Sequence, residues 1–578
     1  MKKIDQLKIA ISLHGIAHLL GFKPSTLAYI LYKLPDSEKY TIFSIPKRQG
    51  GSRIITSPCP KLKNVQQRLS VLLQDCIDEI NSANSRTNKL SHGFRRKKSI
   101  ITNSMKHRNK NYVFNIDLDN FFGEINFGRV RGYFIKNRDF ELNPTIATIL
   151  AQICCFNDYL PQGSPSSPVI SNLIGHIIDI RLAKLAYKSG CHYSRYVDDL
   201  TFSTNKNTFP AKIAIKDKQS ENHWLPGKSL ENILNKSGFS INQKKTRMQY
   251  RTSRQEVTGL VVNSKVNTRP EYWRTARAMA HTLFKSGSYT RKVTKTDTNG
   301  NIIEENIVGT IEQLNGILNF INQLDKHNNR ITYQNSKRRD SKTKAIPHNS
   351  REITYRNFLY YKYFFAAKLP ILLTEGKTDY TYIKFSLLSL FKNHPKLAEQ
   401  NPKGKVNIKL SAFKYSKTTD YICNLSGGSN QLAKFIYNYK KISSVFLNHP
   451  KAPVIILIDN DSGSKTIFSA IKQVTNSKHD IDGNAPFYHV YKNIYVVPIP
   501  KLNNKDTSIE DYFDKNTLRT TIRGKSFSKK NEFETKQHYG KHVFSTEVVS
   551  KNYTQINFNK FNIILDNITQ AIVHFQST

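Results

Sequence analysis

Tyr196-Val197-Asp198-Asp199 constrains this chain more than any other segment. Two adjacent carboxylates follow an aromatic residue inside Ser194 to Ser203, where aromatic, β-branched and polar residues alternate as in a strand, a tight turn and a second strand. Neighbouring acids repel each other and are costly to desolvate, so they suit a place where strong positive charge, such as a pair of magnesium ions, lies between them and a substrate phosphate. An isolated Asp-Asp also suits a solvated turn, and the surrounding sequence has to decide. A third carboxylate ends the apolar strand Tyr112-Val113-Phe114-Asn115-Ile116-Asp117. The stretch from Asp117 to Asp198 leaves room for a helical excursion between two adjacent strands, which would bring three acids together. Asp119 shares a strand face with Asp117 and reads as a weaker partner or a cap. Asp117 is the favoured ligand.

Between these strands, Leu160-Pro161-Gln162-Gly163-Ser164-Pro165-Ser166-Ser167-Pro168 predicts a stiff loop entering a helix over Val169 to Ala186, with Ser166 or Ser167 as its cap. In the order acid strand, Pro-Gln-Gly loop, helix and Asp-Asp hairpin, the chain resembles the palm of a reverse transcriptase. The resemblance implies a right-hand fold of fingers, palm and thumb that polymerises dNTPs, with Asp117, Asp198 and Asp199 as catalytic acids and ligands of two Mg2+ ions. One ion would lower the pKa of the primer hydroxyl and the other would clamp the departing pyrophosphate. It also implies that Gln162 and Tyr196 meet the substrate and that Phe122 crowds the sugar 2′ position. Lys47 and Arg53, in a predicted fingers hairpin from Ile45 to Ile55, would reach the incoming triphosphate, and Arg53 fits the pattern better. Phe121 and Phe122 equally suit a core. Lys244 and Lys245 precede a predicted primer-gripping hairpin at Glu256 to Leu260.

Two further pieces, Asn103-Ser104-Met105-Lys106-His107 and Val257-Thr258-Gly259, resemble the Asn-Ala-x-x-His and Val-Thr-Gly motifs of retron reverse transcriptases. Ser104 replaces the alanine, and His107 also suits a satisfied loop histidine. The resemblance implies that Asn103, His107, Val257, Thr258 and Gly259 serve RNA binding. In that family the enzyme primes from a 2′-hydroxyl of its cognate structured RNA, copies part of it into a branched RNA-DNA hybrid (msDNA) and stays bound to the product. The alternatives are a mobile-element reverse transcriptase, similar to those of group II introns, and a non-catalytic RNA-binding scaffold.

Composition agrees with a polyanionic partner. Lys and Arg total 88 against 43 Asp and Glu, a formal charge of +45, and each phosphate neutralised releases counterions. The 29 Tyr and 32 Phe offer faces for unpaired bases, although most must fill cores. Six cysteines without metal-ligand spacing predict no zinc and a reducing, cytoplasmic setting. No run reaches the roughly 18 apolar residues of a membrane span.

The expected organisation is multidomain, α+β followed by α/β. Residues 1–40 form a helical cap, 41–265 fingers and palm, 266–325 a thumb, 326–365 a basic linker that is mobile unless RNA orders it, 366–515 a second catalytic domain, and 516–578 a C-terminal extension. In the thumb, Arg274 and Arg277 face a duplex or RNA stem, or simply solvent. Past the linker, Leu369 to Asp379 reads as a strand running into the turn Glu375-Gly376-Lys377-Thr378-Asp379, and Val454 to Ile458 as a buried strand ending in Asp459-Asn460-Asp461. Acids at the carboxyl ends of parallel strands lie where such sheets bind ligands. This part resembles a Rossmann-like TOPRIM domain, most closely that of the overcoming-lysogenization-defect nucleases. The resemblance implies Mg2+ held by Glu375, Asp379, Asp459 and Asp461, with Glu375 as catalytic acid or base, and cleavage of cellular or phage nucleic acid in antiphage defence. A Rossmann-like domain with ordinary strand-end acids is the alternative. Self-association with the RNA-DNA hybrid is a further expectation.

Overall fold

Tyr40–Pro46 (β1) and Ser52–Pro58 (β2) pair antiparallel with Ile45 opposite Arg53, the fingers hairpin expected from the sequence. The computed structural model describes residues 1–47, 51–85, 89–217, 223–296, 302–337, 348–529 and 534–578, so part of that hairpin's turn lies outside the described residues. Two units are distinguished, Met1–Arg269 and Pro270–Thr578. In the first, Pro60–Ala83 (α1) begins with proline at its first turn, where no amide is missed, and buries Leu62, Val65, Leu69, Leu72, Leu73 and Cys76 at helical spacing. The helices Lys3–Ile9, Leu13–Leu20 and Pro24–Ala28 add Ile4, Leu7, Ile16, Leu20 and Leu27 to the same core.

Tyr112–Asp117 (β3) precedes Phe127–Lys136 (α2), Pro144–Cys154 (α3) and Ser167–Lys188 (α4), which together form the helical excursion. The chain then returns as His192–Tyr196 (β4), Asp199–Thr204 (β5) and Arg247–Tyr250 (β6). These strands make one antiparallel sheet in the order β4-β5-β3-β6. Phe114, Ile116, Leu200 and Phe202 pack with Ile146, Leu150, Ile170 and Leu182 of α3 and α4. The expected serine cap of α4 is not made: Ser166 accepts no amide. Ser167 Oγ instead donates to the Pro161 carbonyl at 2.8 Å and Ser164 Oγ to Gln66 Oε1 at 2.6 Å, because proline stiffens the loop enough for its serines to be spent on buttressing it. The short hairpin Glu256–Val257 (β7) and Leu260–Val261 (β8) closes this unit.

In the second unit, Pro270–Ser286 (α5) is followed by the antiparallel hairpin Thr290–Thr296 (β9) and Ile302–Val308 (β10), then Ile311–Lys337 (α6) and Ser350–Tyr360 (α7). Here the expected linker at 326–365 is corrected. Helix α6 runs on to Lys337, α7 opens with a capping box of Asn349 and Glu352, and Tyr355, Phe358, Tyr360, Tyr361, Phe364 and Phe365 are buried. A polar, basic composition hid an uninterrupted helix, and the aromatics after it belong to a core. Residues 338–347 lie outside the described residues.

Ile371–Thr374 (β11), Asp379–Leu390 (α8), Ser411–Ala412 (β12), Ser429–Ser443 (α9), Val454–Ile458 (β13), Lys465–Thr475 (α10), Tyr488–Tyr491 (β14) and Ile494–Pro498 (β15) alternate strand and helix. The sheet order is β12-β11-β13-β15-β14, parallel except for β14. Leu373, Ile456 and Val496 face α9, α10 and the aromatics of 355–365, whereas Leu372, Ile455, Leu457 and Val497 face α8 and Asn562–Ser577 (α11). Both faces are thus covered, as a parallel sheet requires. Phe544, Phe558, Phe561, Ile564 and Ile568 belong to that second core, so the expected C-terminal extension is an integral layer. Among the described residues no helix is long and apolar enough to cross a membrane.

Candidate active site

Antiparallel register places Asp117 directly opposite Asp199, and Asp198 sits in the two-residue turn joining β4 to β5. Like charges facing across a ladder are unfavourable. Burial, followed by the charges of Asp198 and Asp117, pushes the Asp199 carboxyl up to about 7, and burial with Asp117 raises Asp198. Lys245 Nζ lies 2.9 Å from Asp117 Oδ1 and offsets part of this charge. Asp119 lies beyond the strand, its amide bound to the Ser240 carbonyl. Three hard oxygen donors under mutual repulsion suit a divalent cation. Among the described residues no three His, Cys, Asp or Glu side chains converge to hold a metal unaided, so metals here would complete their coordination with substrate phosphate oxygens and water.

The turn itself is strained. Val197 has φ +62°, a conformation that hairpin turns usually give to glycine or asparagine. Arg195 Nη1 donates to the Val197 carbonyl at 3.0 Å, while its Nε and Nη2 form a bidentate pair with Asp179 at 2.8 and 2.9 Å. Arg195 and Asp179 are fully buried, and Tyr193 also donates to Asp179. Gly93 lies under the turn, where a Cβ would come within 2.6 Å of the Val197 side chain. This support was not legible in the sequence, since its members come from three distant segments.

Asn103 and His107 are 0% exposed, which corrects the expectation that they contact RNA. Ser194 Oγ donates to Asn103 Oδ1 at 2.6 Å, so it accepts from His107 Nε2 at 2.7 Å. His107 Nδ1 then accepts from Ser203 Oγ at 2.7 Å, and burial holds the ring neutral. One histidine thereby ties β4 to β5, the two strands whose connecting turn carries Asp198. Ser104 Oγ donates to the carbonyl of Val257, itself fully buried, at 2.8 Å. Thr258 and Gly259, at φ +47° and +77°, form the two-residue turn of the β7-β8 hairpin. The named residues of the two motifs are therefore one buried brace, and the surface is reached by the intervening Met105 and Lys106 and by Thr258 and Gly259. His107→Ala is expected to lower the stability of the protein by about 2–4 kcal/mol in chemical unfolding, since it empties a buried site, leaves the Ser203 hydroxyl unpaired and takes from Ser194 one of its two hydrogen bonds. Parental stability with lost RNA affinity would restore a direct contact.

Lys47 and Arg53 are exposed on the fingers hairpin, and the Arg53 charge favours ionised Asp198. The Gln162 carbonyl accepts from the Thr56 amide at 2.7 Å, and a Cβ on Gly163 would stand 2.9 Å from the Thr56 carbonyl, so the Pro-Gln-Gly loop lies against β2. Phe121 is core, whereas Phe122 is half-buried, edge-on to it at 5.8 Å. Tyr196 is half-buried beside the acids. Arg274 and Arg277 project from the exposed face of α5, opposite buried Ala276 and Ala280.

In the second unit, Glu375 and Asp459 follow directly on the adjacent parallel strands β11 and β13. The four-acid convergence expected there takes a different form. Burial, then Asp379 and Glu510, pushes Asp459 up to about 8, and burial with Glu510 raises Asp379 to about 6 despite a 2.7 Å hydrogen bond from the Gly376 amide. Against the burial that lowers it, Lys541 is held above its ordinary value by Glu510, 3.1 Å away, and by Asp459 and Asp379. Glu375 Oε1 accepts from Ser429 Oγ at 2.8 Å, while its Oε2 is buried without a partner. Asp461 caps a short turn through the Gly463 amide at 2.8 Å. Glu510 and Lys541 were absent from the sequence-based set: the acid was visible in Ser508-Ile509-Glu510-Asp511, but nothing near Lys541 marks it.

Residues 45–267 match the family model described as reverse transcriptase (RNA-dependent DNA polymerase). The chain is 30% identical over 332 residues to the retron Ec86 reverse transcriptase of Escherichia coli, spanning 57% of this chain and 89% of that enzyme. It is 29% identical over 355 residues to the retron Mx162 reverse transcriptase of Myxococcus xanthus, spanning 58% and 68%.

Proposed function

This chain belongs to the retron reverse transcriptases, and we propose that it copies part of a cognate structured RNA into a branched RNA-DNA hybrid. The observation that carries this reading is the Asp117–Asp199 register, with Asp198 in the adjoining turn. Asp117, Asp198 and Asp199 would hold Mg2+, which supplies Lewis-acid activation of the primer hydroxyl and charge neutralisation at the departing pyrophosphate. Arg53 and Lys47 bind the triphosphate of the incoming dNTP, Gln162 and Tyr196 its base pair and sugar, and exposed Arg274 and Arg277 the RNA backbone. The test is a primer-extension assay on protein copurified with its RNA, comparing Phe122→Ala with the parent. Loss of the bulky ring beside the 2′ position should raise ribonucleotide relative to deoxynucleotide incorporation by about tenfold or more. An unchanged ratio would make Phe122 a packing residue.

We further propose that the second unit is a TOPRIM nuclease acting in antiphage defence on cellular or phage nucleic acid. The reading is supported by a parallel sheet with Glu375 and Asp459 at adjacent strand ends, by Asp379 and Asp459 held above the ordinary carboxylate range, and by the orphaned Glu375 Oε2. Glu375, Asp379 and Asp459, with Glu510 beside the last two, would hold Mg2+ there, and Asp461 caps the turn that follows.

A further inference from the structure

Between α1, α2, α4 and the loop that carries Phe94 lies a cavity of about 440 Å³ that the polymerase reading does not use. That volume is in the range that encloses a small organic ligand. Its apolar walls include Ile77, Phe140 and Leu173, and Arg95 and Phe94 come from the loop ahead of Asn103. Arg96 spends its guanidinium on Asp75 and Asp78 at 2.7 and 2.9 Å. Arg95, by contrast, makes no hydrogen bond or ion pair among the described residues, and burial holds it below its ordinary pKa. Arg95 is half-buried at the wall, with Asp179 and Asp78 partly offsetting its burial, and its guanidinium donors are available to the acceptors of a ligand. Phe94 is 50% exposed at φ +52°, so a strained backbone presents an aromatic face at the pocket instead of burying it. Lys97 and Lys98 follow immediately and extend the positive charge outward.

We propose that this cavity receives one unpaired guanine of the bound RNA, stacked on Phe94 and read by Arg95 through the two acceptors of its N7/O6 edge. Bidentate arginine matches that edge better than any other base edge, and stacking on an exposed aromatic ring is how unpaired RNA bases are held. The lysines beyond meet the adjoining phosphates. The loop is also tied to the catalytic turn: the His92 amide donates to the Arg195 carbonyl at 2.8 Å, and Asn172 Nδ2 to the Gly93 carbonyl at 2.7 Å. A base in the cavity would therefore fix the RNA relative to Asp198. The proposal rests on the reading that this chain binds a cognate RNA.

The test is dimethyl sulfate footprinting of guanine N7 on the full-length protein copurified with its RNA, because N7 stays reactive in ordinary base pairs. The parental complex should protect one guanine outside the paired stems. Arg95→Ala should restore its reactivity and weaken RNA binding by about tenfold or more. Arg95→Lys, which keeps the charge and burdens the fold less, should restore reactivity with a smaller loss of affinity. No protected unpaired guanine in the parental complex, or protection that persists in both variants, overturns the proposal and leaves the cavity to another ligand. Primer extension by the parent on a generic RNA template tests the polymerase reading separately, so failure there is distinguishable from failure of the footprint.

Discussion

Replacing both Asp198 and Asp199 with Asn is expected to reduce complementary DNA synthesis at least about a thousandfold, while RNA affinity stays within about threefold of the parent. Each carboxylate lost removes a ligand from a site whose chemistry is charge neutralisation, at a cost of several kcal/mol of transition-state stabilisation. RNA affinity should survive because it comes from the basic surface, not from the acids. The variant should also unfold no more easily than the parent in the absence of metal, since Asn removes both the desolvation of a charge and the mutual repulsion that raise Asp199 to about 7 and Asp198 above its usual range. The measurements are hybrid yield, RNA-binding isotherms and thermal unfolding in chelator. Full-length hybrid from the double variant would sink the assignment of these acids.

Glu375→Ala and Asp459→Asn are expected to abolish magnesium-dependent nucleic-acid cleavage and protection against phage while hybrid synthesis stays near the parental level. Both residues end strands of a sheet that contains none of the polymerase acids. Loss of one ligand or proton-transfer group should silence a slow nuclease, by roughly 100-fold or more. The acid cluster adds a dependence on pH. With Asp459 at about 8 and Asp379 at about 6, above the ordinary carboxylate range, the folded state without metal holds protons that the unfolded chain has released between about pH 4 and 8. Its stability should therefore fall as pH rises through that window, and magnesium should reverse the loss by replacing the protons. Unfolding followed from pH 5 to 9, with and without magnesium, tests the sign. Lost hybrid synthesis in either variant would mean one shared site, and retained protection would place the effector elsewhere.

The acids themselves were legible because they are local. An apolar strand ending in Asp117, a Pro-Gln-Gly loop and an aromatic residue before Asp198-Asp199 are short patterns of fixed spacing, and antiparallel register follows from alternation. The strand ends at Glu375 and Asp459 were legible for the same reason. The roles of Asn103, His107 and Val257 were not, because a sequence motif says that residues occur together and not whether they face solvent. Ser194 and Ser203, far along the chain, turn His107 inward. The linker was misjudged because polar composition was taken for mobility, whereas α6 is anchored by Leu314, Leu318 and Ile321 before its basic stretch begins. Glu510 joining Asp379 and Asp459, Lys541 among them, and Arg95 left unpaired over a cavity were decided by tertiary structure alone. Charge coupling and desolvation depend on distance in space, and here they link segments whose separation along the chain carries no pattern.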